Sequence, residues 1–134
     1  EDNLVDPDNR RPVDFADLRN TLDGSRHPKL RVVQAALRLR NERPQTFLAG
    51  GYSAVLADGS AADHVVAFRR GDDVLVAVRR WTVGVSERDW SSTTLTTPTG
   101  IWRDRLTGVS YSGSVEVAAL FGELPVALLE RTDA

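Results

Sequence analysis

Cysteine is absent from all 134 residues, which excludes a disulfide staple, a thiolate nucleophile and a zinc–thiolate centre together. Methionine is absent too, and the chain opens on Glu-Asp-Asn. The expectation from that opening is a piece of a longer polypeptide. Lys29 is the only lysine, so arginine supplies nearly all the positive charge. Basic residues number 17 and acidic residues 19, leaving a formal net charge of −2. That is too little to attract nucleic acid or a membrane surface at long range. No apolar run approaches the ~20 residues needed to span a bilayer, and no signal peptide opens the chain. A cytoplasmic protein with neither a nucleic-acid nor a membrane partner is expected.

What is present suits one ordinary domain with a real core, with 41% hydrophobic and 27% charged residues. The strongest signal is HVVAFRRGDDVLVAVRRW at residues 64–81. Two β-branched runs flank Gly71-Asp72-Asp73, which predicts a β-hairpin. Nearly every position in both strands is apolar, so both faces should be covered. Further strands are expected at residues 53–57, 93–97, 100–104, 114–117 and 125–129. Residues 82–92 read as a loop, 110–114 as a turn and 120–124 as a connection. Short strands with Gly, Asp and Ser punctuation at this spacing predict an antiparallel sandwich or barrel.

Helical patterning precedes the strands. Asp14 can cap a helix running through Phe15, Leu18 and Leu22. Pro28 suits the first position of a second helix over residues 28–41, because its missing N–H has no partner to lose there. Arg31, Gln34, Arg38 and Asn41 form one narrow polar stripe on it. Leu30, Val32, Val33, Ala35, Ala36, Leu37 and Leu39 fill the remainder. A helix this apolar is normally buried between two layers, and the β-domain can supply only one. The second layer is expected from outside the chain, and the helices are expected to seal one end of the β-domain.

Chemistry-bearing residues are sparse. Asp6, Asp8, Asn9, Arg10 and Arg11 form a dense polar loop, suited to a sugar's hydroxyl groups or else simply a solvated turn. His27 reads as a helix-start residue and His64 as a hydrogen-bonded sheet residue. Asp58, Asp63, Asp72 and Asp73 fit no calcium-loop spacing, so no metal is expected. Trp81, Trp90 and Trp102 either pack in the core or stack on sugar rings. No serine has a histidine at a meaningful spacing, and Gly50-Gly51 lacks the lysine and flanks of a phosphate loop. No cofactor is expected, and the chain carries no catalytic constellation of its own.

LVDPDNRRPVDF at residues 4–15 resembles the maltooligosyltrehalose synthase family of the α-amylase superfamily, glycoside hydrolase family thirteen. ALRLRNERP at 36–44, FLAGGY at 47–52, HVVAF at 64–68, WRDRLTG at 102–108 and LPVALL at 124–129 continue the likeness in order. The resemblance implies a (β/α)₈ barrel upstream and a C-terminal all-β sandwich. Residues 1–45 would be the end of the barrel, a loop plus two helices, and residues 46–134 the all-β domain. It implies conversion of the reducing-end α-1,4 linkage of a maltooligosaccharide into an α,α-1,1 linkage, an isomerase reaction of trehalose biosynthesis. Such enzymes use an Asp nucleophile and a Glu acid/base, on barrel strands that this sequence does not contain. No catalytic residue is therefore assigned here, and the chain alone is expected to be inactive. Asp6, Asp8, Asn9, Arg10 and Arg11 match the loop after the last barrel strand and would bind substrate in the intact enzyme. The partners implied are the maltooligosaccharide and the missing catalytic barrel. A free-standing carbohydrate-binding or structural β-sandwich module of another amylase-family enzyme is the alternative.

Overall fold

The computed structural model describes residues 28–132, with residues 12, 14–16, 19 and 20 ahead of them. The described strands form two antiparallel sheets. One is six-stranded, in the order β1 (Tyr52–Val55), β3 (Val65–Arg70), β4 (Val74–Arg79), β9 (Val126–Arg131), β6 (Trp102–Asp104) and β7 (Ser110–Tyr111). The other runs β2 (Ala57–Asp58), β5 (Thr94–Thr96) and β8 (Ser114–Glu116). Helices α1 (Pro28–Glu42) and α2 (Pro44–Leu48) precede the strands, and α3 (Glu87–Ser91) and α4 (Val117–Leu120) fall between them.

The valine-rich hairpin is the centre, as its sequence predicts. Val65 pairs with Arg79 and Arg70 with Val74. Gly71 turns the chain at φ 55°, where a glycine is at ease and a Cβ would stand 3.2 Å from Thr46 Cγ2. Side chains alternate between the two faces of a strand. One face presents Ala67, Leu75, Ala77, Trp102, Ala127 and Leu129 to Leu95 and Val115 of the smaller sheet, forming the main core. The other presents Val74, Val76 and Leu128 to Leu39, Ala35 and Ala36 of α1. β4 is therefore covered on both faces, whereas β3 is covered fully only on its inner face, since Val66 on the outer one is exposed. The expectation that the helices seal one end is corrected. α1 lies flat on the sheet, because Val74, Val76 and Leu128 point outward and need cover.

Three other expectations change in detail. The run at 53–57 is two strands: Val55 pairs with Ala67 in one sheet and Ala57 with Leu95 in the other. Leu56 marks the crossing and is exposed. The loop at 82–92 contains α3, whose N-cap Ser86 side chain accepts from the Asp89 N–H while Asp89 accepts from the Ser86 N–H, a capping box. Within the turn at 110–114, Tyr111 pairs with Trp102. His64 is also corrected: it ends a 3-10 turn (Ala62–His64) just ahead of β3, not inside the sheet. Asp14 Oδ1 accepts from the Ala16 N–H at 2.9 Å, as a cap does. Leu18, Leu22 and His27 lie outside the described residues.

Candidate functional site

The feature that asks for a partner is α1. Of its apolar residues only Leu39 is fully buried by the sheet. Polar anchors hold the rest in place. Arg31 Nη2 donates to the Leu106 carbonyl at 2.9 Å. Arg43, in the break between α1 and α2, donates from Nε to Glu130 Oε1 at 2.6 Å and from Nη1 to Asp73 Oδ2 at 3.2 Å. Arg105 continues the chain, bridging Glu130 at 2.9 Å to Glu42 at 2.8 Å. Charge-assisted bonds of this kind fix geometry as well as contributing energy. The hydrogen bond and charge of Glu130 hold the Arg43 guanidinium above its ordinary pKa. Sequence reasoning missed Arg43 because its partners lie 30 and 87 residues away.

On the outward side of α1, Val33 and Leu37, four apart and so on one face, are 46% and 60% exposed. Leu48, at the end of α2, is 76% exposed. A groove of about 360 Å³ runs between α1 and the sheet, lined by Ala36, Phe47, Phe68, Val76, Leu128, Arg40 and Arg70. Tyr52, at the edge of the sheet, stacks on Phe68 with ring centroids 5.0 Å apart. The wide apolar surface of α1 is thus half used: its own domain covers the inner strip and leaves the outer strip bare. Contiguous apolar surface edged by charge is the signature of an interaction face.

The described acidic and phenolic groups with shifted pKa values are engaged in structural contacts. Asp104 is almost fully buried, yet its oxygens are occupied. It accepts from the Leu106 N–H at 2.9 Å, the Leu128 N–H at 3.3 Å and the Thr107 hydroxyl at 3.1 Å. Burial still pushes its pKa up, the hydrogen bonds opposing. It locks a turn to β9. Burial likewise raises the Tyr111 phenol, with the Asp104 charge adding to it. His64 Nδ1 is held 2.8 Å from the Trp81 carbonyl. Among the described residues no group of three or more His, Asp or Glu side chains is placed to hold a metal ion. Nor, among them, is any helix long and apolar enough to cross a membrane.

Of the three tryptophans, Trp90 and Trp102 belong to the core, and Trp102 Nε1 donates to the Pro98 carbonyl at 2.8 Å. The Arg79 guanidinium lies 4.6 Å over the Trp90 ring and 5.3 Å over Phe121. Trp81 is on the surface. The expected substrate-binding residues Asp6, Asp8, Asn9, Arg10 and Arg11 lie outside the described residues.

No family model matches the chain. Two curated relatives from Mycobacterium tuberculosis, of strains CDC 1551 and H37Rv, are named as maltooligosyl trehalose synthases. Each is 56% identical over 134 residues, all of this chain. The chain spans 18% of the length of those relatives. The solved maltooligosyltrehalose synthase of Arthrobacter ramosus is 41% identical with a TM-score of 0.79, covering 96% of this chain and 18% of that one. A solved Sulfolobus tokodaii protein, described as a hypothetical maltooligosyl trehalose synthase, is 26% identical with a TM-score of 0.58 over 94% of this chain and 16% of its own. In sequence along its whole length and in fold, this chain is therefore homologous to one part of the maltooligosyltrehalose synthases.

Proposed function

We propose that this chain is the C-terminal part of an enzyme converting the reducing-end α-1,4 linkage of maltooligosaccharides into an α,α-1,1 linkage. The observation that carries the reading is 56% identity without a break in coverage across all 134 residues. The bare outer strip of α1 supports it independently, because a catalytic barrel seated there would supply the second layer that the helix composition calls for. On this reading residues 1–45 belong to the end of the barrel and residues 46–134 to the all-β domain, the boundary falling inside α2. The β-domain holds α1 through Leu39 and the Arg43–Glu130–Arg105 chain of ion pairs. It thereby presents Val33 and Leu37 as a rigid docking strip.

The reaction itself would run on carboxylates of the barrel. One displaces the reducing-end glucose to form a covalent glycosyl-enzyme, and the anomeric hydroxyl of that glucose then attacks. No water is consumed, so the product is an isomer of the substrate. Asp6, Asp8, Asn9, Arg10 and Arg11 would meet the sugar hydroxyls from the loop after the last barrel strand. The cytoplasmic placement expected from the sequence is kept as part of the proposal.

Two measurements test it. The isolated chain incubated with maltoheptaose should leave the reducing ends intact, and loss of reducing ends would overturn the reading of a non-catalytic part. Grafting the chain in place of its matching stretch in the Mycobacterium tuberculosis relative should give an active chimera. A folded but inactive chimera counts against the assignment.

A further inference from the structure

Trp81 follows β4 at the open end of the hairpin, opposite the Gly71 turn, and is 68% exposed. Its φ is 49°, the one positive value outside glycine among the described residues. For so bulky a side chain this region is strained, and strain persists only where the surroundings impose it. Here they do. His64 Nδ1 sits 2.8 Å from the Trp81 carbonyl oxygen, and the Arg80 N–H donates to the His64 carbonyl at 2.8 Å. Arg80 Nε donates to the Asp63 carbonyl at 3.0 Å. The guanidinium so anchored lies 4.0 Å over the indole centroid. One ring face is backed by that cation, and the residue as a whole stays largely exposed.

An aromatic surface held still has little conformational freedom left to lose when something stacks on it. We propose that Trp81 is a stacking platform for a glucose ring of an α-1,4-glucan. The apolar face of a pyranose matches an open indole face. The remaining N–H groups of Arg80 stand at its border as donors for sugar hydroxyls. The platform rests on the geometry alone; the choice of an α-glucan rests on the function proposed above.

The test uses the full chain labelled with ¹⁵N, reading its three indole N–H signals during titration with maltoheptaose and, in parallel, cellohexaose. The signal missing from Trp81→Gly should shift saturably with maltoheptaose at millimolar concentrations, while the Trp90 and Trp102 signals stay in place. Trp81→Gly should raise the Tm, since glycine is at home at this φ, and should abolish binding. Trp81→Tyr should keep a weaker response. No shift of the Trp81 signal, or undiminished binding by Trp81→Gly, overturns the platform. A response to cellohexaose alone overturns the α-glucan assignment. An active chimera whose grafted chain binds no glucan refutes this inference and leaves the proposed function standing; an inactive chimera with binding retained does the reverse.

Discussion

Leu39→Ala separates the hold of α1 on the sheet from the stability of the sheet itself. Leu39 is fully buried and meets Val74 and Leu128. Truncating a leucine in such a site costs about 2–5 kcal/mol, the transfer of the lost methyls plus the cavity left behind. Because Leu39 is the one fully buried residue that α1 contributes, the loss should fall on local detachment of the helix more than on global unfolding. At about 1.4 kcal/mol per decade, the amides of α1 should exchange at least ~30-fold faster in native-state hydrogen exchange. Amides of β4 and β9, held by the main core of Leu75, Ala77, Ala127 and Leu129, should accelerate much less. Peptide-resolved exchange by mass spectrometry reads both in one experiment. Equal acceleration in α1 and β4 would show that the helix and sheet open as one unit. Unchanged exchange in α1 would show that the ion pairs hold it without Leu39. Either result refutes the view of α1 as a separately attached plate.

Leu37→Lys, on the bare strip, should change the stability of the isolated chain by no more than about 0.5 kcal/mol in urea melts. In the active chimera the same change should lower activity or yield sharply; a chimera indifferent to it sinks the docking strip. Asp104 has a folded pKa above its unfolded value, so its contribution to stability is complete below the unfolded pKa and is lost as pH rises through the folded one. Asp104→Asn, which keeps an acceptor for the Leu106 and Leu128 N–H groups, should therefore gain stability relative to the parent chain as pH rises across that window. A flat or opposite difference in denaturation midpoints would reject burial as the dominant cause. Ser86→Ala should lower the denaturation midpoint by removing the α3 cap. Asp89 is held below its ordinary pKa, chiefly by the Ser86 hydroxyl, so the penalty should shrink on acidification, as the carboxylate is protonated and its share of the cap is lost in both proteins. A penalty independent of pH would break that link.

Much of the fold was legible because period-two and helical patterns write themselves into local sequence. Val65 to Arg79 declares its hairpin through β-branched runs around Gly71, and Pro28 to Glu42 its helix through the polar stripe of Arg31, Gln34 and Arg38. What escaped depends on partners distant in sequence. Nothing local says that Val55 and Ala57 enter different sheets, since that switch is set by pairing with Ala67 and Leu95. β7 is two residues long and has no periodicity to read. α3 did carry a readable sign, Ser86 and Asp89 spaced as a capping box, but Trp90 alone gave no amphipathic stripe. The tryptophans could not be sorted by type; distant partners sort them, Trp102 through a register that places it opposite Tyr111 and Arg131 and Trp90 through the main core into which α3 packs it. The polar loop of Asp6, Asp8, Asn9, Arg10 and Arg11 was readable through its likeness to known enzymes, not through spacing.

The strands at the rims of both sheets are brief. β1 has four residues and β7 two, while β2 has two and β8 three. A ladder of unmade backbone bonds this short gives an incoming chain almost nothing to zip onto. Among the described strands these rims disfavour growth by strand addition and favour recognition through the shape and character of side chains. Association is thereby steered toward one defined fit in place of open-ended stacking.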